Sequence, residues 1–309
     1  MTMSNHVIEV RNLNKRYGHV QALKNVNLTV PRGQIYGLVG KNGAGKTTLM
    51  RVLINQTFAD QGEVALFGAH TEHDINKMRR RVGTIIEIPS FYAFMTAREN
   101  LEFYRRQRGI AGSDCVDEAL ATVELLDAGN KKFKNFSLGM KQRMGLALAI
   151  MNHPDMLILD EPVNGLDPEG IVQFRNILLK LNREQQVTIL ISSHILAELQ
   201  NLATHYTFMH NGAIVQDVSE KELSAMCQEH LEIVVDEPEK AATLLEQLAG
   251  CVSYEVLPGN MIRIYEMLDE PDVIAQILIE NHIRLYSLKQ NRMNLEDYFI
   301  DLVGGGKNA

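Results

Sequence analysis

The stretch GKNGAGKTT at residues 40–48 decides the fold of this chain. Residues 40–47 fit the pattern G-x-x-x-x-G-K-S/T, in which glycines let backbone N–H groups wrap around phosphate oxygens. A helix that starts at the end of such a loop adds positive potential. An ordinary glycine-rich turn is the alternative interpretation. The residues expected to contact a nucleotide's phosphates are Gly40, Lys41, Asn42, Gly43, Ala44, Gly45, Lys46, Thr47 and Thr48.

The residues on either side of this loop predict a strand before it and a helix after it. QIYGLVG (34–40) is a short apolar run typical of a buried strand, and TTLMRVLINQ (47–56) has helical character. Strand, loop and helix is the order that a phosphate-binding loop requires. In this arrangement we expect Lys46 to reach the β- and γ-phosphates of ATP and the Thr47 hydroxyl to bind Mg²⁺. The context disfavours a plain turn.

A second apolar run ends in two carboxylates at MLILDE (156–161). Asp160 is placed to hold the Mg²⁺ that bridges the β- and γ-phosphate oxygens. Glu161 points differently from its neighbour on a strand, so we expect it to polarise the attacking water. The alternative is that the two acids merely end a buried strand at solvent. Because the chain also carries a phosphate loop, a catalytic pair is the favoured interpretation.

Three further motifs follow in a fixed order. They are NFSLGMKQR (135–143), GLDP (165–168) and the pair Ser193-His194. Together with the earlier motifs they make residues 5–217 resemble the ATP-binding subunit of an ATP-binding cassette (ABC) transporter, nearest the bacitracin- and lantibiotic-resistance type of exporter ATPase. The first of the three departs from the family's LSGGQ, because Leu138 replaces a glycine and Met140 replaces the glutamine.

The resemblance implies specific roles for several residues. The catalytic residues that it implies are Glu161, His194 and Lys46. The residues that it implies contact ATP held by the other copy of a dimer are Ser137, Gly139 and Asp167. The Mg²⁺ ligands that it implies are Thr47, Asp160 and Glu87. Tyr17 matches the aromatic residue that stacks on adenine, with an aromatic side chain packed between strands as the alternative.

Glu87 is the most informative departure from the family pattern. The family usually has glutamine at the end of the stretch VGTIIE (82–87), where it touches Mg²⁺ and the water close to the membrane subunit. An added negative charge there would tighten metal binding or change coupling. With glutamate at this position, the chain resembles exporters that protect bacteria from lantibiotic and bacitracin-type peptides. A variant without meaning for the substrate is the alternative.

The order of sequence signals predicts two domains. Residues 1–218 are expected to form an α/β nucleotide-binding domain: a P-loop NTPase core with an antiparallel β part and a helical subdomain at about 88–153. From residue 219 to residue 309 the signals follow the order β-α-β-β-α-β. That order indicates a small α+β ferredoxin-like domain, which we expect to have an accessory or regulatory role.

Composition excludes several classes of protein. The chain has 309 residues, a formal net charge of −7, 45% hydrophobic and 22% charged residues, as in ordinary globular proteins. Its longest central apolar run, at 144–151, is far shorter than a membrane-spanning helix. The N-terminus lacks the apolar segment of a secretion signal, so we expect a cytoplasmic protein. Because the net charge is acidic, nucleic acid is not an expected partner.

The resemblance implies a homodimer around two MgATP and a separately encoded transmembrane permease, with this chain peripheral on the inner face of the cell membrane. Export is the expected direction. A soluble ABC ATPase without a membrane partner is the alternative. Ribosomal members of that class usually carry two cassettes, whereas this chain has one phosphate loop. A nucleotide-binding regulator without turnover conflicts with the presence of all the catalytic residues.

Overall fold

The computed structural model describes residues 5–86, 90–226, 229–291 and Tyr298. The chain divides into two compact units, Met1–Glu220 and Lys221–Ala309. In the first unit the elements are β1 (His6–Tyr17), β2 (Val20–Pro31), β3 (Ile35–Val39), α1 (Lys46–Leu53), β4 (Gln61–Leu66), α2 (Glu72–Met78), β5 (Val82–Ile85), α3 (Ala97–Gln107), α4 (Asp114–Thr122), α5 (Leu138–Ile150), β6 (Met156–Asp160), α6 (Pro168–Gln185), β7 (Thr188–Ser193), α7 (Leu196–Leu199), β8 (His205–His210) and β9 (Ala213–Ser219).

A six-stranded sheet with the order β5-β6-β7-β3-β8-β9 forms the centre of the first unit. All neighbours are parallel except the last pair, in which β9 runs antiparallel to β8. β3 and β7 are buried at every position, as expected of apolar strands covered on both faces. Asn211-Gly212, a residue pair that favours tight turns, forms the hairpin turn between β8 and β9. The carboxyl ends of β3, β6 and β7 therefore meet at one edge of the sheet, where the phosphate loop begins.

A separate antiparallel sheet with the order β2-β1-β4 contains the first two strands of the chain. Its inward side chains, among them Val10, Leu13 and Leu28, join a core cluster with Leu49 and Leu53 of α1. Burial of such side chains contributes about 1.5–3 kcal/mol each. The sheet thus packs against the helix that follows the phosphate loop and holds that helix in place.

Three helices, α3, α4 and α5, lie in the segment predicted as helical at about 88–153. α3 begins with a capping box: the Thr96 hydroxyl accepts from the backbone N–H of Glu99, and the Glu99 carboxylate accepts from that of Thr96 at 2.7 Å. The Ser137 hydroxyl caps α5 by accepting from the backbone N–H of Met140 at 3.3 Å. Local side chains therefore fix where α3 and α5 start.

Asp155 joins three parts of the first unit. Its carboxylate accepts hydrogen bonds from Arg81 Nε at 2.7 Å and from Arg32 Nη1 at 3.4 Å. The guanidinium carbons of Arg81 and Arg32 also lie 4.3 Å and 5.7 Å from the centroid of the Phe67 ring. The hydrogen bond from Arg81 lowers the pKa of Asp155 below its ordinary value, against the opposing effect of burial. The cluster ties the antiparallel sheet to β5 and β6.

Asp155→Asn is expected to lower the free energy of unfolding at pH 7 by about 1 kcal/mol, since the partners are partly exposed and solvent screens the pair. The folded-state pKa lies below the unfolded value of about 3.9, so the stabilisation is complete above that value and is lost as the pH falls through the folded-state pKa. Urea unfolding of both proteins from about pH 3 to pH 7 measures the difference. A difference that stays constant with pH would contradict this assignment of the charge.

The second unit contains α8 (Glu220–Met226), β10 (His230–Val235), α9 (Pro238–Ala249), β11 (Tyr254–Leu257), β12 (Met261–Ile264), α10 (Pro271–Glu280) and β13 (Leu285–Asn291). Its antiparallel sheet has the order β11-β12-β10-β13. Alternate residues of β10 are buried, namely Leu231, Ile233 and Val235, and they share a core cluster with Leu245 of α9 and Leu278 of α10. The two helices thus cover one face of this sheet.

No helix within the described residues combines the length and the apolar character that crossing a membrane requires.

Candidate active site

The phosphate loop lies between β3 and α1, and its backbone leaves no room for side chains at two glycines. Gly45 has φ +109°, in the region that favours glycine, and a Cβ there would lie 2.7 Å from the carbonyl oxygen of Ala22. A Cβ at Gly40 would lie 2.6 Å from the carbonyl oxygen of Met209. The glycine pattern is therefore required by the close approach of neighbouring backbone, in addition to any contact with phosphate.

The Lys46 side chain is buried in this loop with only 5% of its surface exposed. Its Nζ donates to the carbonyl oxygen of Gly40 at 2.6 Å and lies 3.1 Å from Oε1 of Glu161. A buried ammonium group needs such partners because burial costs it the hydration of its charge. The fold thus places a fixed positive charge at the start of α1, where phosphate oxygens are favoured.

Asp160 lies at the end of β6 between two hydroxyl groups. Thr47 Oγ1 donates to Asp160 Oδ2 at 2.6 Å, and Ser192 Oγ donates to Asp160 Oδ1 at 2.6 Å. The Thr47 hydroxyl and a carboxylate oxygen of Asp160 are hard oxygen donors, the kind that Mg²⁺ prefers. The donor chemistry at this point therefore fits the predicted metal.

Glu161 turns away from Asp160 because its backbone adopts the left-handed conformation, with φ +44°. Its Oε1 faces Lys46, as described above, and its Oε2 lies 3.0 Å from Nδ1 of His194. A non-glycine residue in this conformation costs about 1–3 kcal/mol, so the contacts around Glu161 must hold it there. The structure thus brings together the three predicted catalytic side chains, Lys46, Glu161 and His194, in one chain of contacts.

A cavity of about 720 Å³ opens over the phosphate loop. This volume is within the range of small-molecule sites. The lining residues that the sequence had already assigned to the site are Asn42, Gly43, Ala44, Gly45, Lys46, Thr47, Thr48 and Glu161. Arg16, Lys24 and Lys46 give the cavity a positive lining that suits an anionic ligand. Gly40 and Lys41 are not among the described residues that line it, but their carbonyl oxygens accept from Lys46 Nζ.

Tyr17 is absent from the described residues that line this cavity, although Arg16, His19 and Val20 are among them. The Tyr17 side chain is 46% exposed, and its hydroxyl donates to Thr57 Oγ1 at 3.3 Å. Lys15 Nζ lies 5.2 Å from the centroid of its ring. Stacking of Tyr17 on adenine therefore stays a prediction.

The three residues predicted to act across a dimer meet in a second cavity, of about 380 Å³. Ser137 and Gly139 start α5, and Asp167 starts α6, where its Oδ1 accepts from the backbone N–H of Gly170 at 3.1 Å. Leu138 lies between them with 44% of its surface exposed. The remaining predicted metal ligand, Glu87, lies outside the described residues.

Reasoning from the sequence missed Ser192, which contacts both acidic residues of the site. The signal was available in the run VTILISSH (187–194), where two serines precede the predicted histidine and Ser192 is the first of them. The sequence does not show the register of β6 against β7, which pairs Asp160 with Ser192. It also missed Arg16, His19 and Lys24 as lining residues of the cavity.

A glycine-rich loop with a buried lysine, close in space to an aspartate and a glutamate at the end of a strand, defines a P-loop nucleoside triphosphatase. The family model described as ABC transporter matches residues 23–164. The chain is 41% identical over 306 residues to the bacitracin transport ATP-binding protein BcrA of Enterococcus faecalis, and the match covers 99% of each chain. It belongs to the ABC transporter ATP-binding proteins, whose members hydrolyse ATP to ADP and phosphate to drive transport.

Two further comparisons agree with this family. The lantibiotic transport ATP-binding protein SrtF of Streptococcus pyogenes is 39% identical over 210 residues, which are 68% of this chain and 89% of SrtF. A solved dimeric ATP-binding cassette in a post-hydrolysis state, bound to ADP and phosphate, superposes with a TM-score of 0.60. It is 24% identical and covers 69% of this chain and 98% of its own, so it supports the fold alone.

Proposed function

We propose that this chain forms a homodimer around two MgATP and drives a separately encoded transmembrane permease that exports a peptide antibiotic of the bacitracin or lantibiotic kind. The observation that carries the substrate class is the likeness to the bacitracin transport protein of Enterococcus faecalis, which extends over 99% of both chains and so includes the second unit. A match confined to the nucleotide-binding part would carry no information about the accessory unit.

Within each copy, the cavity over the phosphate loop is the proposed ATP site. Lys46 binds the β- and γ-phosphates, and Thr47 with Asp160 would hold Mg²⁺. Bound Mg²⁺ supplies the positive charge that offsets negative charge developing on the phosphate oxygens. Glu161 Oε1 lies 3.1 Å from Lys46 Nζ, so arriving phosphates compete with this carboxylate for the ammonium group. Once released, Glu161 is free to polarise the attacking water, while His194 holds its other oxygen.

The proposed contact between the two copies of the dimer lies at the second cavity. Ser137 and the backbone N–H groups at the start of α5 form a helix N-terminus, which favours phosphate oxygens. Asp167, in the same cavity, is proposed to contact the partner's nucleotide site. A solved cassette that shares this fold is described as dimeric. Each ATP would then lie between the phosphate loop of one copy and Ser137 and Gly139 of the other.

The remaining assignments follow from this role. The chain is proposed to be cytoplasmic and peripheral on the inner face of the membrane, with no nucleic-acid partner, in keeping with its net charge of −7. The second unit is proposed to be a ferredoxin-like accessory domain. Its element order β-α-β-β-α-β and its sheet order β11-β12-β10-β13 support this.

The test of the proposal is an affinity purification from detergent-solubilised native membranes, using the full chain with Glu161→Gln and MgATP to hold the dimer closed. We expect a multi-span membrane protein to co-purify. We also expect that loss of this chain makes cells more sensitive to bacitracin-type peptides, with a smaller change in sensitivity to an unrelated antibiotic. The same chain with Lys46→Ala is the control for nucleotide dependence. Recovery of soluble partners alone, from a preparation that binds ATP, would overturn the proposal in favour of a soluble ABC ATPase.

A further inference from the structure

Ser192, the fifth residue of β7, contacts both Asp160, the last residue of β6, and Glu161, which follows it. Its side chain is completely buried, with 0% exposed. Its Oγ donates to Asp160 Oδ1 at 2.6 Å and accepts from the backbone N–H of Glu161 at 2.9 Å. Parallel pairing of Asp160 with Ser192 puts their side chains on the same face of the sheet, so both contacts follow from the register.

The two hydrogen bonds are compatible and have fixed directions. A backbone N–H can only donate, so the Ser192 oxygen must accept from Glu161. The single hydroxyl proton is then left for the carboxylate of Asp160, where it makes a short, charge-assisted bond. One hydroxyl therefore satisfies both neighbours at once, which an alanine, valine or other apolar side chain cannot do.

The bond to Asp160 fixes the orientation of its carboxylate. With Oδ1 held by Ser192, the other oxygen, Oδ2, faces Thr47 Oγ1 at 2.6 Å. Hydroxyls from β7 and from α1 thus hold the two oxygens of one carboxylate. Rotation of this group would break a bond at either end, so the oxygen on the Thr47 side stays aimed at the proposed metal position.

The bond to the Glu161 backbone holds a conformation that is unfavourable by itself. Glu161 has φ +44°, and this turn is what directs its carboxylate toward Lys46 Nζ at 3.1 Å and His194 Nδ1 at 3.0 Å. Backbone strain of this kind persists only when surrounding contacts hold it. Ser192 supplies such a contact at the strained residue itself.

We infer that Ser192 is a positioning residue for ATP hydrolysis: its buried hydroxyl sets the direction of the Asp160 carboxylate and the backbone turn of Glu161. The inference rests on the proposed roles of those two residues. Ser192 does not line the cavity and acts only through its neighbours, so its removal affects turnover more than the binding of nucleotide.

The test compares Ser192→Ala with Ser192→Thr, which restores a hydroxyl, in steady-state phosphate release and in equilibrium binding of a fluorescent ATP analogue. We expect Ser192→Ala to lower kcat by about 10- to 100-fold, while KM and the Kd of the analogue change less than about threefold. Ser192→Thr is expected to keep kcat within about threefold of wild type, since its oxygen can make both bonds.

Thr188→Val is the matched control. Thr188 lies on the same strand, is likewise 0% exposed, and its Oγ1 accepts from the backbone N–H of Gly33 at 2.9 Å, at the end of β7 away from the site. We expect this variant to lose stability and to keep kcat within about threefold of wild type. The Thr188→Val variant thereby separates the effect of losing any buried hydroxyl from the effect of losing the Ser192 hydroxyl.

Three outcomes would overturn the inference. They are wild-type kcat in Ser192→Ala, an equal loss of kcat in Ser192→Thr, and an equal loss of kcat in Thr188→Val. If Ser192→Ala does not fold, Ser192→Cys, of similar size and with a weak donor, takes its place with the same expected loss of turnover. A wild-type chain without ATPase activity would overturn the proposed function and this inference together, whereas an active wild type leaves the variants to decide the inference alone.

Discussion

Glu161→Gln is expected to lower kcat for ATP hydrolysis by about 10²- to 10⁴-fold. Glutamine keeps the size of the side chain and one acceptor oxygen, but its amide cannot take a proton from water. The affinity for MgATP should stay within about threefold of wild type, because the phosphate loop is unchanged and Lys46 loses a competing carboxylate at 3.1 Å. Steady-state phosphate release gives kcat, and equilibrium binding of a fluorescent ATP analogue gives Kd.

The same variant tests the dimer. Because it holds ATP without hydrolysing it, we expect its mass in light scattering to double on addition of MgATP and to return to that of one chain when nucleotide is removed. A mass that stays at one chain with ATP bound would contradict the proposed pairing through Ser137 and Gly139.

Glu118→Gln is the matched control for Glu161→Gln. Glu118 also pairs with a histidine, with its Oε2 3.5 Å from Nε2 of His153, but it is 60% exposed and lies on α4 away from the phosphate loop. We expect kcat within about twofold of wild type, as for most surface substitutions. If Glu161→Gln lowers kcat by less than about tenfold, Glu161 is not the residue that polarises the water.

Lys46→Ala is expected to weaken MgATP binding by at least about 100-fold, which corresponds to about 2.8 kcal/mol. The physical reason is that Lys46 carries a buried positive charge at the start of α1, and each charge-assisted hydrogen bond to phosphate contributes about 1.5–3 kcal/mol. Loss of this charge also removes the partner of Glu161 Oε1, so two negative groups then approach without a cation between them. Equilibrium binding of the fluorescent ATP analogue measures the effect.

The control for Lys46→Ala is Lys77→Ala. Lys77, on α2, is 58% exposed, and its Nζ lies 3.7 Å from Asp74. Such an exposed pair contributes little, so nucleotide affinity should stay within about twofold of wild type. If Lys46→Ala binds nucleotide within about fivefold of wild type, Lys46 does not contact the phosphates. Removal of a buried ammonium group in contact with phosphate would weaken binding by more than that.

Much of the site could be predicted because its residues are close in sequence. The phosphate loop is a contiguous stretch, and Asp160 and Glu161 follow one apolar strand. Glycine spacing and apolar runs act through local backbone geometry, which the sequence expresses directly. The capping box at Thr96 and the hairpin at Asn211-Gly212 are local features of the same kind.

Other features could not be predicted because they depend on the register between distant strands. Ser192 reaches Asp160 only through the pairing of β6 with β7, which brings together residues 32 positions apart. The cluster of Asp155 with Arg32 and Arg81 likewise joins three separate segments of the chain. Arg16, His19 and Lys24 enter the cavity because the antiparallel sheet packs beside the phosphate loop.

The sequence by itself determined the class of this protein, its phosphate loop, the two acidic residues and the order of its elements, because short-range steric and hydrogen-bonding preferences suffice for these. Tertiary structure decided the left-handed turn of Glu161, the burial of Lys46 against that carboxylate and the role of the Ser192 hydroxyl. These depend on packing of apolar strands across the whole sheet, and the sum of many weak contacts sets the register that no local pattern records.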